Sequence, residues 1–478
     1  MLKDKGMITA AEIAAARSCM ALASGFGASA SRVSLGKSIM DSYSLRDSAV
    51  DKVSHNSDCS IYLTVFVDGR SGNFSTNRLD SDELSDFVKK AVATTRLLAP
   101  DTCRHLQDPA LTAKNVSEGD ELNLYDRSWH YLEPGIRLEK AFAPAVKFRE
   151  IVPAAGEWHD CACAQAEKSG GSVRTGLKWR LISEESEWSD GLDDNYLIDS
   201  NGFEGRHIET SFSYCSEVTI EDSEGNKYSG YWWECAPKLA ELDYEGCSLA
   251  ALQNAVGQIG PARTRGGYRT MVLDSRVASR LVSPIIGSLS AMSVQQKNSF
   301  LEGKLGEKVF SDHFTFIDKP IIPGKSGSRL FDTEGTATKE RTLIERGVVK
   351  TYFVSSYAAS KTGLAPTVEG VSVPVIEPFC TKGPLVPDAS GMIRRFRNGI
   401  YVTGLNGGNC NNVTGDFSYG VSGFVFRNGK ILAPFKEGLI TGNMIELWNN
   451  IAAAGTDART ATRWQIPSLV FTDVSFSV

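Results

Sequence analysis

The chain has 478 residues, 42% hydrophobic and 23% charged, with a formal net charge of −6 and a pI near 5.7. That is the composition of a soluble globular protein with room for two or three cores. It contains no Lys/Arg-rich stripe suited to nucleic acid and no run of about 20 apolar residues to span a membrane.

The alanine-rich start is interrupted by Glu12 and Arg17, so residues 8–26 read as an amphipathic helix rather than a signal peptide. The expected compartment is the cytoplasm. Ten scattered cysteines fit reduced thiols there, and the sequons at Asn73, Asn115 and Asn412 then read as chance. Strands are expected at 30–41 and 59–67, with Asp68-Gly69 supplying hairpin chemistry. Asp80 is placed to cap a helix with Glu83 three residues on, and Leu84, Phe87, Val88, Ala91 and Val92 follow at helical spacing. Residues 100–125 are polar and punctuated, the mark of a linker or long connection.

A meander of hairpins is expected toward residue 235, with turns at Asn201-Gly202 and Glu224-Gly225-Asn226. Leu249, Leu252, Val256 and Ile259 mark a helix before Gly260-Pro261. Met271-Val272-Leu273 reads as a short strand and 276–295 as a helical run. Many short segments broken by glycine come next, as in a largely antiparallel, barrel-like β domain. The expected fold class is therefore α+β. It has an N-terminal α/β domain over 1–240, with mixed or antiparallel sheets and a sub-boundary near 100–125. A C-terminal, largely antiparallel β domain with helices covers 241–478.

The histidines are informative by their spacing. His55, His105, His130, His159, His207 and His313 form no close pair, and none is followed by Glu. A helix-borne zinc peptidase needs two His on one helical face with a Glu beside them. His159, Cys161 and Cys163 form a local group of soft ligands, but the sequence locates no fourth, and buried thiols beside a surface His are the plainer reading. Cys410 sits in a Gly/Asn-rich loop without an identifiable His partner, and that loop lacks the Lys-Ser/Thr ending of a phosphate loop. Trp232-Trp233 reads as a core or interface pair before a stacking surface.

Four linked segments carry a resemblance. Phe331-Asp332-Thr333-Glu334-Gly335 continues through Leu343-Ile344-Glu345-Arg346-Gly347 to Lys350-Thr351-Tyr352 and Ser356–Gly363. Asn412-Val413-Thr414-Gly415-Asp416-Phe417-Ser418, Gly442-Asn443 and Ile466-Pro467-Ser468 follow in order. Together they resemble the TldD/PmbA family, long named modulators of DNA gyrase. The likeness is strong over about 270–478 and loose before it. The resemblance implies a cytoplasmic, two-part α+β protein. In that family the TldD-like branch carries His-Glu-x-x-x-His on a helix and a late Cys, and is a zinc metallopeptidase. The PmbA-like branch, also called TldE, lacks those ligands and assembles with a TldD-like subunit to cleave unfolded or short peptides.

This chain resembles the second branch. Aligned on Gly287, Ser283, Pro284 and Ser288 stand where the family's His, Glu and His would be, and no Cys follows Cys410. A hydroxyl is a poor zinc ligand beside imidazole, and proline cannot act as a general base. Ser283 as helix cap with Pro284 in the first helical position would accommodate the proline. The resemblance thus implies no catalytic, cofactor or metal residues in this chain, and zinc on a TldD-like partner. Two other readings stay open: a self-sufficient hydrolase using Cys410, and a homodimeric peptide-binding scaffold. Asp332, Glu334 and Asp416 are family-like acidic positions, for which turn formation stands beside contact with peptide or partner.

Overall fold

The computed structural model describes residues 6–152, 156–160, 178–262 and 264–478. The first sheet contains β1 (Ala30–Arg46), β2 (Ala49–Val67), β3 (Arg70–Thr76), β4 (His159–Asp160), β5 (Lys178–Asp199), β6 (Glu204–Asp222) and β7 (Lys227–Ala236). Its order is β3-β2-β1-β5-β6-β7 with β4 against β5, and every pairing is antiparallel. Alternation sets its two faces. Val33, Leu35, Ile61, Leu63, Tyr196 and Ile198 point to one side, into a core shared with α1 (Ala10–Gly25) and α2 (Ser81–Thr95). Farther along the same face, Trp188, Phe212 and Tyr214 meet α3 (Pro134–Ile151), and Val218 and Ile220 meet α4 (Cys247–Val256). Arg32, Ser34, Tyr62 and Thr64 alternate with these residues and face the other way.

The β1–β2 hairpin is far longer than the expected strands. Residues 42–58 belong to its arms, which turn at Asp47-Ser48 with φ of 49° and 64°. Two positive φ values in a two-residue turn match the right-handed twist of the arms without a glycine. The long connection is also more than a linker. Thr112 bridges Thr336 and Val116 bridges Gly205, His105 Nε2 lies 2.7 Å from Ser360 Oγ, and Lys361 pairs with Asp101 at 3.2 Å. Residues 101–116 therefore fasten the first sheet to the second half of the chain.

The second half begins with β8 (Gly267–Leu273), α5 (Ser275–Ser288) and α6 (Ala291–Gln295). The expected helical run is thus two helices, interrupted at Leu289-Ser290, where Ser290 caps the second. A four-stranded sheet of β9 (Phe316–Asp318), β10 (Arg341–Glu345), β11 (Val348–Val349) and, beyond α7 (Ser356–Thr362), β12 (Pro374–Ile376) has the order β11-β10-β9-β12. The remaining elements are β13 (Phe379–Cys380), α8 (Ala389–Phe396), β14 (Gly399–Leu405), β15 (Asn409–Cys410), β16 (Asp416–Arg427), β17 (Lys430–Asn443), α9 (Met444–Asn449), β18 (Ile451–Ala454) and β19 (Leu469–Ser477). Strands β8, β14, β16, β17 and β19 close into a five-stranded barrel, since β19 pairs with both β17 and β8. The β8–β14 pairing is parallel and the other four are antiparallel. Closure removes the open edge that a free sheet would present. The α+β class and the barrel-like C-terminal region agree with the sequence reading.

Candidate functional site

Helix α5 carries Ser283, Pro284 and Ser288. Asp274 caps it, accepting from Arg276 N at 2.9 Å. Arg276 Nε and Nη2 also reach the same carboxylate at 2.7 and 3.0 Å, and Tyr401 donates its hydroxyl to it. Burial alone would raise the pKa of Asp274, but the Arg276 charge and these hydrogen bonds outweigh it and hold the carboxyl below its usual range. Ser275 N donates to Ser468 Oγ at 3.2 Å, so the late Ile-Pro-Ser segment anchors the same helix end.

The helix starts earlier than the proline suggested. Pro284 lies well inside it rather than in the first helical position, and it has no N–H to offer the preceding turn. Ser283 is no cap. It is exposed, and its Oγ donates back to Ser279 O at 2.9 Å. Ser288 is 1% exposed, its Oγ has no hydrogen-bond partner, and its carbonyl accepts from Ser299 Oγ at 2.7 Å. Five residues turn a helix by roughly 500°, which leaves the two serines about 140° apart. One hydroxyl faces solvent and the other faces the core. These residues do not fit a zinc ion, and no cluster of three metal-ligating side chains exists among the described residues. His159 stacks on Trp179 with ring centroids 4.7 Å apart, while Cys161 and Cys163 lie outside the described residues.

Cys410 does not present an activated thiol. It packs against the barrel core, and burial, with Asp416 adding to it, pushes the thiol up to about 11. The loop beside it is structural. Asp416 accepts from Thr414 Oγ1 at 2.7 Å and from Asn443 Nδ2 at 3.0 Å, and Asn443 Oδ1 caps α9 through Ile445 N. The Asn-Val-Thr-Gly-Asp and Gly-Asn segments are thus one hydrogen-bonded unit.

The Phe331–Gly335 turn is similarly self-occupied. Asp332, 2% exposed, accepts from Glu334 N and Thr336 N at 2.9 Å and from Glu369 N at 3.2 Å. Burial, and then Glu369, raises its pKa. Glu334 takes Ser356 N at 2.7 Å and Ser356 Oγ at 2.6 Å, holding the start of α7. Gly335 has φ of 79°, and a Cβ there would meet the Phe203 ring at 2.8 Å. This turn overhangs the free face of the first sheet, and the two enclose a cleft of about 560 Å³. Arg32, Tyr62, His207, Arg329, Phe331 and Arg463 are among its walls. Sequence reasoning did not single out Arg32, Arg329 or Arg463. Only the alternation of Arg32 and Ser34 with Val33 and Leu35 signals that Arg32 faces away from the helices.

Trp232 and Trp233 occupy a different interface. Arg276 lies over the Trp232 ring at 5.3 Å, and Arg459 lies over both rings at 5.0 and 4.4 Å while pairing with Glu234 at 3.0 Å. The pair joins β7 to the barrel side of the molecule, as an interface reading expects.

A solved structure from Bacteroides thetaiotaomicron, described as a "putative modulator of DNA gyrase", is 38% identical in sequence, covers 98% of this chain and is itself covered in full, with a TM-score of 0.88. The chain belongs to the PmbA/TldD family. Residues 266–478 match the family description "PmbA/TldA metallopeptidase C-terminal domain", and 32–95 match "PmbA/TldA metallopeptidase domain 1". The Metalloprotease PmbA homolog of Haemophilus influenzae is 26% identical, the match covering 95% of this chain and 94% of that protein. TldE from Thermococcus kodakarensis shares the fold at a TM-score of 0.77 and 18% identity, with 97% of this chain and all of that one covered. Among the described residues, no helix is long and apolar enough to cross a membrane.

Proposed function

We propose that this chain is a PmbA/TldE-like subunit without a zinc site of its own, assembling with a TldD-like catalytic subunit in the proteolysis of unfolded or short peptides. The observation that carries this reading is α5. Its Ser283, Pro284 and Ser288 supply neither imidazole nor carboxylate, within a scaffold whose family is named for metalloproteases. Zinc, and the hydrolysis it assists, would then belong to the partner. The chain's contribution is to complete or stabilise the peptide-handling chamber. The raised thiol of Cys410 weighs against independent nucleophilic catalysis.

The test is to purify the chain alone and together with a TldD-like protein, then measure assembly by light scattering and cleavage of casein and short peptides. Cleavage should require the pair and stop with chelator. Chelator-sensitive cleavage by this chain alone, or stoichiometric zinc bound to it, would overturn the proposal. A stable homodimer that ignores the TldD-like protein would instead favour a peptide-binding scaffold.

A further inference from the structure

The cleft between the first sheet and the Phe331–Gly335 turn contains an unusual electrostatic arrangement. Arg32 projects into it from β1, and its Nε and one Nη are buried without any hydrogen-bond partner. Asp199, opposite Arg32 in register on β5, does not pair with it. Asp199 Oδ1 instead accepts from Asn201 N and Phe203 N at 2.8 and 3.1 Å, and its Oδ2 is buried without a partner. Leaving two guanidinium nitrogens buried and unpaired is unfavourable, because each has lost its water without gaining an acceptor. Such a group is balanced when an anion reaches it.

Two more arginines line the same cleft. Arg329 is largely satisfied, by Ser372 Oγ at 2.8 Å and Gly370 O at 2.8 Å. Arg463 is satisfied only in part. One of its nitrogens donates to the carbonyls of Val371 and Ser372 at 3.3 and 3.4 Å, and no carboxylate pairs with it. The lining carboxylates are already used. Glu209 pairs with His207 at 3.6 Å and accepts from Ser326 Oγ at 2.7 Å, and Asp332 holds its own turn. The walls of the cleft therefore carry three arginines against two carboxylates, Glu209 and Asp332. Around them stand Tyr62, 58% exposed, with Leu197 and Phe331. Planar donors beside apolar and aromatic walls suit a carboxylate that ends an apolar segment.

We propose that this cleft binds the free carboxyl terminus of a short peptide, with Arg32 as the principal anchor and Arg463 as the second. This rests on the reading of the chain as a peptide-handling subunit and names the end of the peptide it would hold. The two can fail separately, because the anchor is measured on this chain alone and the subunit role on cleavage by the pair.

The experiment compares a fluorescein-labelled Ala-Ala-Phe-Ala peptide bearing a free carboxyl terminus with its amidated twin, by anisotropy at pH 7. The free acid should bind at least about tenfold more tightly, a difference of about 1.4 kcal/mol. Arg32→Gln should remove that preference and Arg32→Lys should restore part of it, since lysine keeps the charge but loses the fork. Arg463→Gln should weaken the free acid and leave the amide unchanged. Equal affinity of acid and amide for the unmodified protein would overturn the proposal without any variant. So would a preference that survives in a folded Arg32→Gln protein, or no binding of either peptide at millimolar concentration.

Discussion

On the helix-covered face of the first sheet, Asp190 and Asp194 are 1% and 0% exposed, and each is gripped by an arginine. Arg137 reaches Asp190 from α3 with two nitrogens at 2.8 and 2.7 Å, and Arg206 reaches Asp194 across the strand pair with Nε at 2.8 Å. The barrel strands, by contrast, send Leu273, Val402, Ile440 and Phe471 into an apolar cluster. Long strands with polar residues on both faces can slip in register, and a buried charge pair makes a one-residue slip expensive. A closed barrel has its register fixed by closure and needs only shape. The buried charge pairs of the first sheet therefore penalise a register slip that closure of the barrel already prevents.

That contrast can be broken by substitution. Asp190→Ala should cost about 3 kcal/mol, because it removes the two-nitrogen grip on Arg137 and leaves that guanidinium only the longer pairing with Asp41 at 3.3 Å. Chemical denaturation would show this, and a loss below about 1 kcal/mol would refute the account of the first sheet. Replacing both partners, Arg137→Met with Asp190→Leu, should recover most of the loss while loosening strand register, seen as weaker amide protection along β5. Leu273→Ala in the barrel should cost about 2–5 kcal/mol through transfer and cavity terms, with no rescue by a second charge change.

The barrel side has a buried charge pair of its own, Asp274 with Arg276, and acid probes it. The folded-state pKa of Asp274 lies below its unfolded value of about 3.9. Its stabilisation is fully present above that pH and is lost as pH falls through the folded value. Asp274→Asn should flatten the acid limb of a stability-versus-pH curve below about pH 4. A parallel acid limb would show that the Arg276 pairing contributes nothing. Smaller effects lie in the helices. Pro284→Ala should raise the melting temperature, since an interior proline costs up to about 3 kcal/mol and its neighbours have already adapted to it. Thr9→Ala should cost about 1 kcal/mol by dissolving the Thr9–Glu12 capping box. Asp80→Ala should cost only a few tenths, because Asp80 makes no side-chain cap bond.

The same residues show what the sequence made legible. Helical spacing at Leu84, Val88 and Ala91 and the turns at Asp68-Gly69 and Asn201-Gly202 are local signals, and the elements formed where they stood. The arms at 42–58 were missed because Asp41, Ser42, Ser54 and His55 offer no apolar alternation, and Asp47-Ser48 turns without Asn or Gly. Pro284 suggested a helix start, yet Asp274 and Arg276 supply a stronger one upstream. The serine and proline content of α5 was legible because residue types need no coordinates. The Arg32 cleft was not, because being unpartnered depends on residues near 199, 327 and 463 arriving together.

The closing strand has a consequence in time. β8 and β19 are neighbours in the barrel, but β19 is synthesised roughly 200 residues later, which at about 5–20 residues per second is a wait of ten seconds or more. Until then β8 has an unpaired flank, and Ser275 lacks the Ser468 hydroxyl that fixes the start of α5. Helix α5 is thus among the last parts of the molecule to be secured. During translation its stretch of the nascent chain stays exposed until the barrel shuts.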